Sequence, residues 1–536
     1  MKFRFYLLIW IVGSLIPAHL SAQSVQTKSP KLIVEVVVEH LRYEMIERYW
    51  NAIGNNGIKR LVRSGMVFDH MQYRLAHVSN ASGMATLATG FWPRDHGIIG
   101  DSWYDPLTRM QKFACGQNPY EVFHAEHTHF TPSMLLQPTV GDMLKLQSHG
   151  RSKLMGISMN PVTAILGTGR SADLALWLNP RSGRWITNTY YRDSVVSWLE
   201  DFHDKKFHDL YTKRSWTTYY SPETYTASMA DNNAYELGIP GYRNTFPYEM
   251  SFLKQRSESY KYLRVAPFGN TYTKDIALTA IMREELGKDE FPDFLVLGFS
   301  SMSYASNYFH AHSLEIEDLF VRLDKDIAHL LQFIDQRFEP GEVIVVFTAD
   351  RGMPESSLYL ADLGWSVGTF EGKKAQALLD TYLDLLYEKG DWLIGFSNQQ
   401  YYLNQQMIDQ TKVSIEQVQQ QAADFLAQFE GVAAAYPLNT RALNKGADFN
   451  TLHPYRSGDI FVELLPGWTD GSDRFLVRGQ KSSFNNHVPF VIWGLGKPAQ
   501  RIYEPYGMDQ VAPSLSRLLG LPLPGNFQKP LLPIFN

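Results

Sequence analysis

Five short apolar stretches, Leu32–Val38, Lys153–Ser158, Phe294–Phe299, Val343–Thr348 and Val488–Trp493, punctuate this chain. Most are rich in β-branched residues and lack polar alternation, which is what strands buried on both faces of a parallel sheet require. Helical patterns separate them, among them Arg42–Ala52, Gly141–Gln147, Leu314–Arg337 and Asp509–Leu519. Strands alternating with helices predict an α/β fold with a doubly wound, mostly parallel sheet. Such sheets collect their functional groups at the carboxyl ends of the strands.

Polar residues stand at those ends. Glu39 follows the first strand, Asp350 and Arg351 follow the strand ending at Thr348, and Ser300–Asn307 follow the one ending at Phe299. The last strand is instead preceded by its polar residue, His487. Long Tyr- and Trp-rich stretches at about 177–272 and 365–468 read as cap insertions over these ends. With 536 residues and 44% hydrophobic content, the chain can bury one large core, so residues 23–536 are expected to form a single capped domain.

Formal charge is −5, with acidic and basic residues interleaved, which excludes a nucleic-acid footprint. At the N-terminus, Lys2 and Arg4 precede an uncharged run from Phe5 to Ala18, and Ser21-Ala22-Gln23 offers small residues for cleavage. Residues 1–22 therefore predict a secretory signal peptide, with a membrane anchor as the alternative. No later segment is a transmembrane candidate. Cys115 is the only cysteine, so there is no intrachain disulfide and no lipoprotein cysteine after the apolar run. Export without disulfides predicts the bacterial periplasm.

Four segments carry a family resemblance: Val36-Val37-Val38-Glu39-His40-Leu41-Arg42-Tyr43, His96–Asp105, Phe347-Thr348-Ala349-Asp350-Arg351-Gly352 and Asn486-His487-Val488-Pro489. The chain resembles the alkaline phosphatase superfamily, in its type I phosphodiesterase/nucleotide pyrophosphatase-like group. Within that group it is similar to the periplasmic, phosphate-irrepressible phosphomonoesterases. The resemblance runs from about Lys31 to the C-terminus. It implies two zinc ions, each held by three carboxylate or imidazole ligands, that activate a Thr or Ser nucleophile and stabilise the leaving oxygen.

Carried over residue by residue, most of that machinery is replaced. The first-strand aspartate is matched by Glu39, one methylene longer. Counting ten residues back from Gly90 places Asn80 at the nucleophile, with Ser79 and Ser82 beside it. An Asp-x-x-x-His ligand pair is matched by Ser303 and Asn307, and an Asp-His pair by Asp350-Arg351. His487 alone matches its histidine. The phosphate-binding Lys-x-Arg pair and asparagine are matched by Asn160, Val162 and Asp101, so two cations are lost and an anion is gained. That exchange repels a phosphate dianion. No metal cofactor is expected, with a single divalent ion as the alternative.

Structural roles are expected for several of these residues. Arg351 is expected to pair with both Glu39 and Asp350, since its fork matches two carboxylates. His487 is expected to hydrogen-bond Ser303 or Asn307 as a core histidine, Asn80 to cap a helix over Ala81–Ala88, and Asp101 to cap a turn after Gly100. Three functions stand side by side. The first is a non-catalytic periplasmic pseudophosphatase serving as a binding or assembly module, its partner a small polar ligand or a protein. The second is a hydrolase or transferase using one divalent ion on Glu39, Asn80, Asp101 and Asp350. The third is residual phosphoester hydrolysis through Ser79 or Ser82.

Overall fold

The computed structural model describes residues 29–117, 130–438, 450–471, 476–477, 482–523 and 530–535. The expected signal peptide at 1–22 lies outside these residues. Nine strands form the main sheet: β1 (Leu32–Val38), β2 (Met66–Gln72), β3 (Leu154–Ser158), β4 (Leu174–Leu178), β5 (Trp185–Ile186), β6 (Asp293–Phe299), β7 (Val343–Thr348), β8 (Phe490–Trp493) and β9 (Gln500–Gly507). Their order is β9-β2-β8-β7-β1-β6-β3-β4-β5.

Every residue of β1, β3, β6 and β7 is buried, as a strand covered by helices on both faces must be. Burial of each large aliphatic side chain contributes about 1.5–3 kcal/mol. β1 pairs in parallel with β6 and β7, and β6 with β3. The stretch Val488–Trp493, expected to be parallel, is a correction: β8 runs antiparallel to both β7 and β2. An apolar run encodes burial, and strand direction is set by the neighbours it meets.

Register aligns the site. Val38 lies opposite Phe299, Gly298 opposite Ser158, and Val37 opposite Thr348. The residues that follow, Glu39, Ser300, Asn160 and Asp350, therefore share one rim of the sheet. A helix, Asn80–Thr89, approaches that rim closely. A Cβ on its Gly83 would lie 1.9 Å from the Asp350 carbonyl oxygen, so glycine is what permits the approach.

The region 365–468 builds a separate four-stranded antiparallel sheet from Leu393–Ser397, Gln400–Leu403, Ile460–Leu464 and Val432–Pro437. It has its own core, including Leu379, Leu383, Trp392, Val418 and Leu426. The aromatic stretch 177–272 packs into the main core instead, through Trp185, Trp216, Tyr248 and Tyr272. Among the described residues, no helix is long and apolar enough to cross a membrane.

Candidate functional site

At the end of β1, Glu39 is wholly buried. Its Oε1 accepts hydrogen bonds from Ser158 Oγ (3.2 Å), Thr163 Oγ1 (2.7 Å) and Ser300 Oγ (2.7 Å), and its Oε2 from Asn160 Nδ2 (3.0 Å). The next residue, His40, takes a left-handed backbone with φ 65°. That conformation is uncommon outside glycine and needs support. The His40 amide donates to Asp350 Oδ1 at 3.0 Å, and His40 forms a bridge with Gly352. The reversal swings the imidazole into the site.

The ring's tautomer follows from its partners. Ser306 Oγ already donates to the Ser303 carbonyl, so it accepts from His40 Nδ1 at 3.1 Å. His40 Nε2 is then an acceptor, and Arg351 Nε donates to it at 3.0 Å. The same Arg351 N–H is shared with Asn80 Oδ1, also at 3.0 Å. The expected salt bridge is thereby corrected. Among the described residues, Arg351 makes no ion pair with Glu39 or Asp350, because its guanidinium has swung past both carboxylates to His40 and Asn80.

Asp350 is fully buried and sits behind this cluster. Its Oδ1 accepts from the His40 and Arg351 backbone amides, at 3.0 and 2.8 Å, while Oδ2 has no partner among the described residues. Burial, and then the charge of Glu39, push its carboxyl well above the usual aspartate range.

Asn80 is the first residue of its helix, and not its cap. Ser79 is the cap: Ser79 Oγ accepts from the Ser82 amide (3.1 Å) and Ser82 Oγ from the Ser79 amide (2.9 Å). Both serines are buried and engaged in this capping box, and Ser79 also lines the cleft. Asn80 instead projects into the site, its Nδ2 3.3 Å from Ser303 Oγ. Asp101 caps the helix and not a turn: its Oδ1 accepts from the Ala81 amide at 2.9 Å. A carboxylate thus already occupies the positive end of the helix, where an anionic ligand would otherwise be favoured.

Asn307 turns back on its own segment, donating to the Ser303 and Tyr304 carbonyls. His487 is the clearest relocation. Its Nε2 is 2.7 Å from the Asp69 carbonyl oxygen and its ring stacks on Tyr43 at 4.4 Å, outside the cleft and away from Ser303 and Asn307. Burial lowers its pKa.

His40, Asn80, Asp101, Asn160, Ser303, Asn307 and Arg351 line one cleft of about 460 Å³; Glu39 and Asp350 lie beneath its floor. The rest of the lining was not foreseen. It comes from the hairpin turn Asn398-Gln399, from Thr469 and Asp470, and from His77. Of the turn pair only Asn398 carries a sequence signal, since asparagine tolerates a left-handed backbone, and His40 stands inside the motif that follows the first strand.

Zinc does not fit this donor set. Among the described residues, no group of three or more His, Cys, Asp or Glu is placed to hold a metal ion. Arg351 Nε stands on Asn80 Oδ1, and the carboxylates of Glu39 and Asp350 are enclosed.

The fold and the rim of strand-end residues define an α/β protein of the alkaline phosphatase superfamily. The sequence profile of the type I phosphodiesterase / nucleotide pyrophosphatase family matches residues 33–474, and the chain belongs to that family. It is 31% identical to a Myroides odoratus protein named calcium-transporting ATPase, over 95% of each chain. It is 28% identical to the alkaline phosphatase PafA of Elizabethkingia meningoseptica, covering 97% of this chain and 98% of that one. It is also 28% identical to the alkaline phosphatase PhoV of Synechococcus elongatus, covering 92% and 91%. The crystal structure of wild-type PafA superposes with a TM-score of 0.86 at 26% identity, over 92% of this chain and 96% of that one.

Proposed function

We propose that this member of a phosphoester-hydrolase family is a periplasmic pseudophosphatase, a binding module that keeps the fold without the reaction. The observation that carries the reading is the contact of Arg351 Nε with Asn80 Oδ1. An amide has replaced the hydroxyl at the position matching the nucleophile, and a fixed cation has taken the place of a removable one. Asp101 on the Ala81 amide supports the same reading, since it sets a negative charge where a phosphate would bind. Against the single-ion alternative, Glu39 already accepts from four side chains, and Asp101 Oδ1 and Asp350 Oδ1 are engaged by backbone amides.

The cleft is built for a small polar or cationic group, or for a polar segment of a protein partner. Residues 23–536 act as one capped domain, and the cap at about 365–468 supplies Asn398 and Gln399 to the cleft. Export rests on the basic and apolar N-terminus.

Metal analysis by mass spectrometry tests the proposal, on protein purified without a His-tag after zinc exposure and assayed in parallel with a phosphomonoester. The expected result is below about 0.2 zinc per chain and no turnover, because intact structural and catalytic sites hold zinc tightly. One or two tightly held zinc ions, or a phosphoenzyme trapped on a serine, would overturn it.

A further inference from the structure

The cleft contains polar groups that its own residues leave unused. Gln399 is only 4% exposed and lines the cleft, yet among the described residues its side-chain amide has no hydrogen-bond partner. His77 Nδ1 is buried without a partner among the described residues. Asn398 spends Nδ2 on the Ser102 carbonyl at 2.7 Å, which leaves its Oδ1 unbonded among the described residues. Asp101 spends Oδ1 on the Ala81 amide, which leaves Oδ2. An unmet buried polar group costs about 1–3 kcal/mol, so the enclosed His77 Nδ1 calls for a partner, and the other three residues line the same cleft.

The backbone that carries two of them is costly as well. Asn398 and Gln399 have φ of 52° and 60°, both left-handed, in the turn joining Leu393–Ser397 to Gln400–Leu403. A two-residue hairpin of this hand favours Asn-Gly. Glutamine in the second position is disfavoured by about 1 kcal/mol relative to glycine. Folding alone gives no reason to place a long amide there; contact with a ligand does.

We infer that the cleft binds an uncharged, hydroxyl-rich small molecule, a sugar or cyclitol, held by Gln399, Asn398, His77 and Asp101. This deepens the pseudophosphatase reading and rests on it. The unused set mixes donors and acceptors. The Gln399 amide offers both, a neutral imidazole offers one of each, and Asn398 Oδ1 and Asp101 Oδ2 only accept. His77 is kept neutral by its burial, and next by the Arg351 charge, both of which lower its pKa. A hydroxyl donates and accepts at one oxygen and satisfies all four groups. An ammonium only donates, which leaves the Gln399 and His77 N–H groups unmet. A hydrogen phosphate dianion has a single donor among its oxygens, and meets the Asp101 charge. A volume of about 460 Å³ lies in the range of small-molecule pockets.

Thermal shift and titration calorimetry on the full chain test this, with D-glucose, D-galactose and myo-inositol against ethanolamine, choline and inorganic phosphate. The expected result is a saturable rise in Tm with at least one of the neutral polyols. The paired variant is Gln399→Gly, which suits the left-handed turn. It is expected to keep or raise the unliganded Tm while weakening polyol binding about tenfold, the equivalent of losing one or two hydrogen bonds. A variant that binds the polyol as the parent does overturns the inference, as does a panel in which no polyol acts. A response to ammonium compounds alone overturns the ligand class and leaves the pseudophosphatase reading standing. A phosphate response together with zinc uptake overturns both.

Discussion

Glu39 and Asp350 follow neighbouring strands of one sheet, both wholly buried, and their surroundings differ sharply. Glu39 is saturated by side chains from three different segments. Asp350 has two backbone amides, an unpartnered Oδ2 and a raised pKa. The extra methylene of Glu39 accounts for part of the contrast, because it carries the carboxylate down into a belt of hydroxyls. Asp350 is shorter and cannot reach such a belt, and the cation beside it in sequence is engaged elsewhere. One strand end is therefore packed as structure, and its neighbour holds a carboxyl group at a cost.

The contrast makes its largest prediction at Glu39. Glu39→Leu strands four donors without an acceptor, and urea unfolding is expected to show a loss of about 3–4 kcal/mol. If Asp350→Leu costs as much, the two strand ends are not different in the way described.

Asp350 should behave oppositely, through pH. Its raised pKa means that the folded chain keeps a proton which the unfolded chain releases above about pH 4. Stability therefore falls as pH rises from there towards the folded-state pKa. Asp350→Asn removes the ionisation while keeping Oδ1 as acceptor. It is expected to flatten that slope and to equal or exceed the parent at pH 8 by about 1–2 kcal/mol, as read from denaturation at pH 5 and pH 8.

Arg351 links the two ends. Arg351→Met is expected to cost about 1–2 kcal/mol by leaving His40 Nε2 and Asn80 Oδ1 without their shared donor. Arg351→His alone is expected to bring no zinc in metal analysis, since Ser303 and Asn307 still offer no charged ligand. Stoichiometric zinc in that single variant would show that the rim is closer to a metal site than its geometry indicates.

The smallest effect separates two adjacent residues. Ser79→Ala removes the helix cap and is expected to lower stability by about 1 kcal/mol. Asn80→Ala should cost less, because His40 Nε2 still accepts from Arg351.

Local pattern was enough for the scaffold. Leu32–Val38 and Val343–Thr348 appear in the structure with the boundaries expected of them, and Lys153–Ser158 shifts by one residue. Burial leaves its mark on each residue in turn, so runs of Val, Ile and Leu announce core strands. Motif order likewise placed Asn80, Asp101, Asn160, Ser303 and Arg351 around one cleft. The direction of Phe490–Trp493, the turn of Arg351 away from both carboxylates, the seat of His487 on Tyr43 and the arrival of Gln399 from a distant hairpin were decided only by the tertiary structure. A hydrogen bond goes to whichever acceptor the assembled chain brings within about 3 Å. A long side chain such as arginine reaches several candidates, and sequence spacing does not rank them.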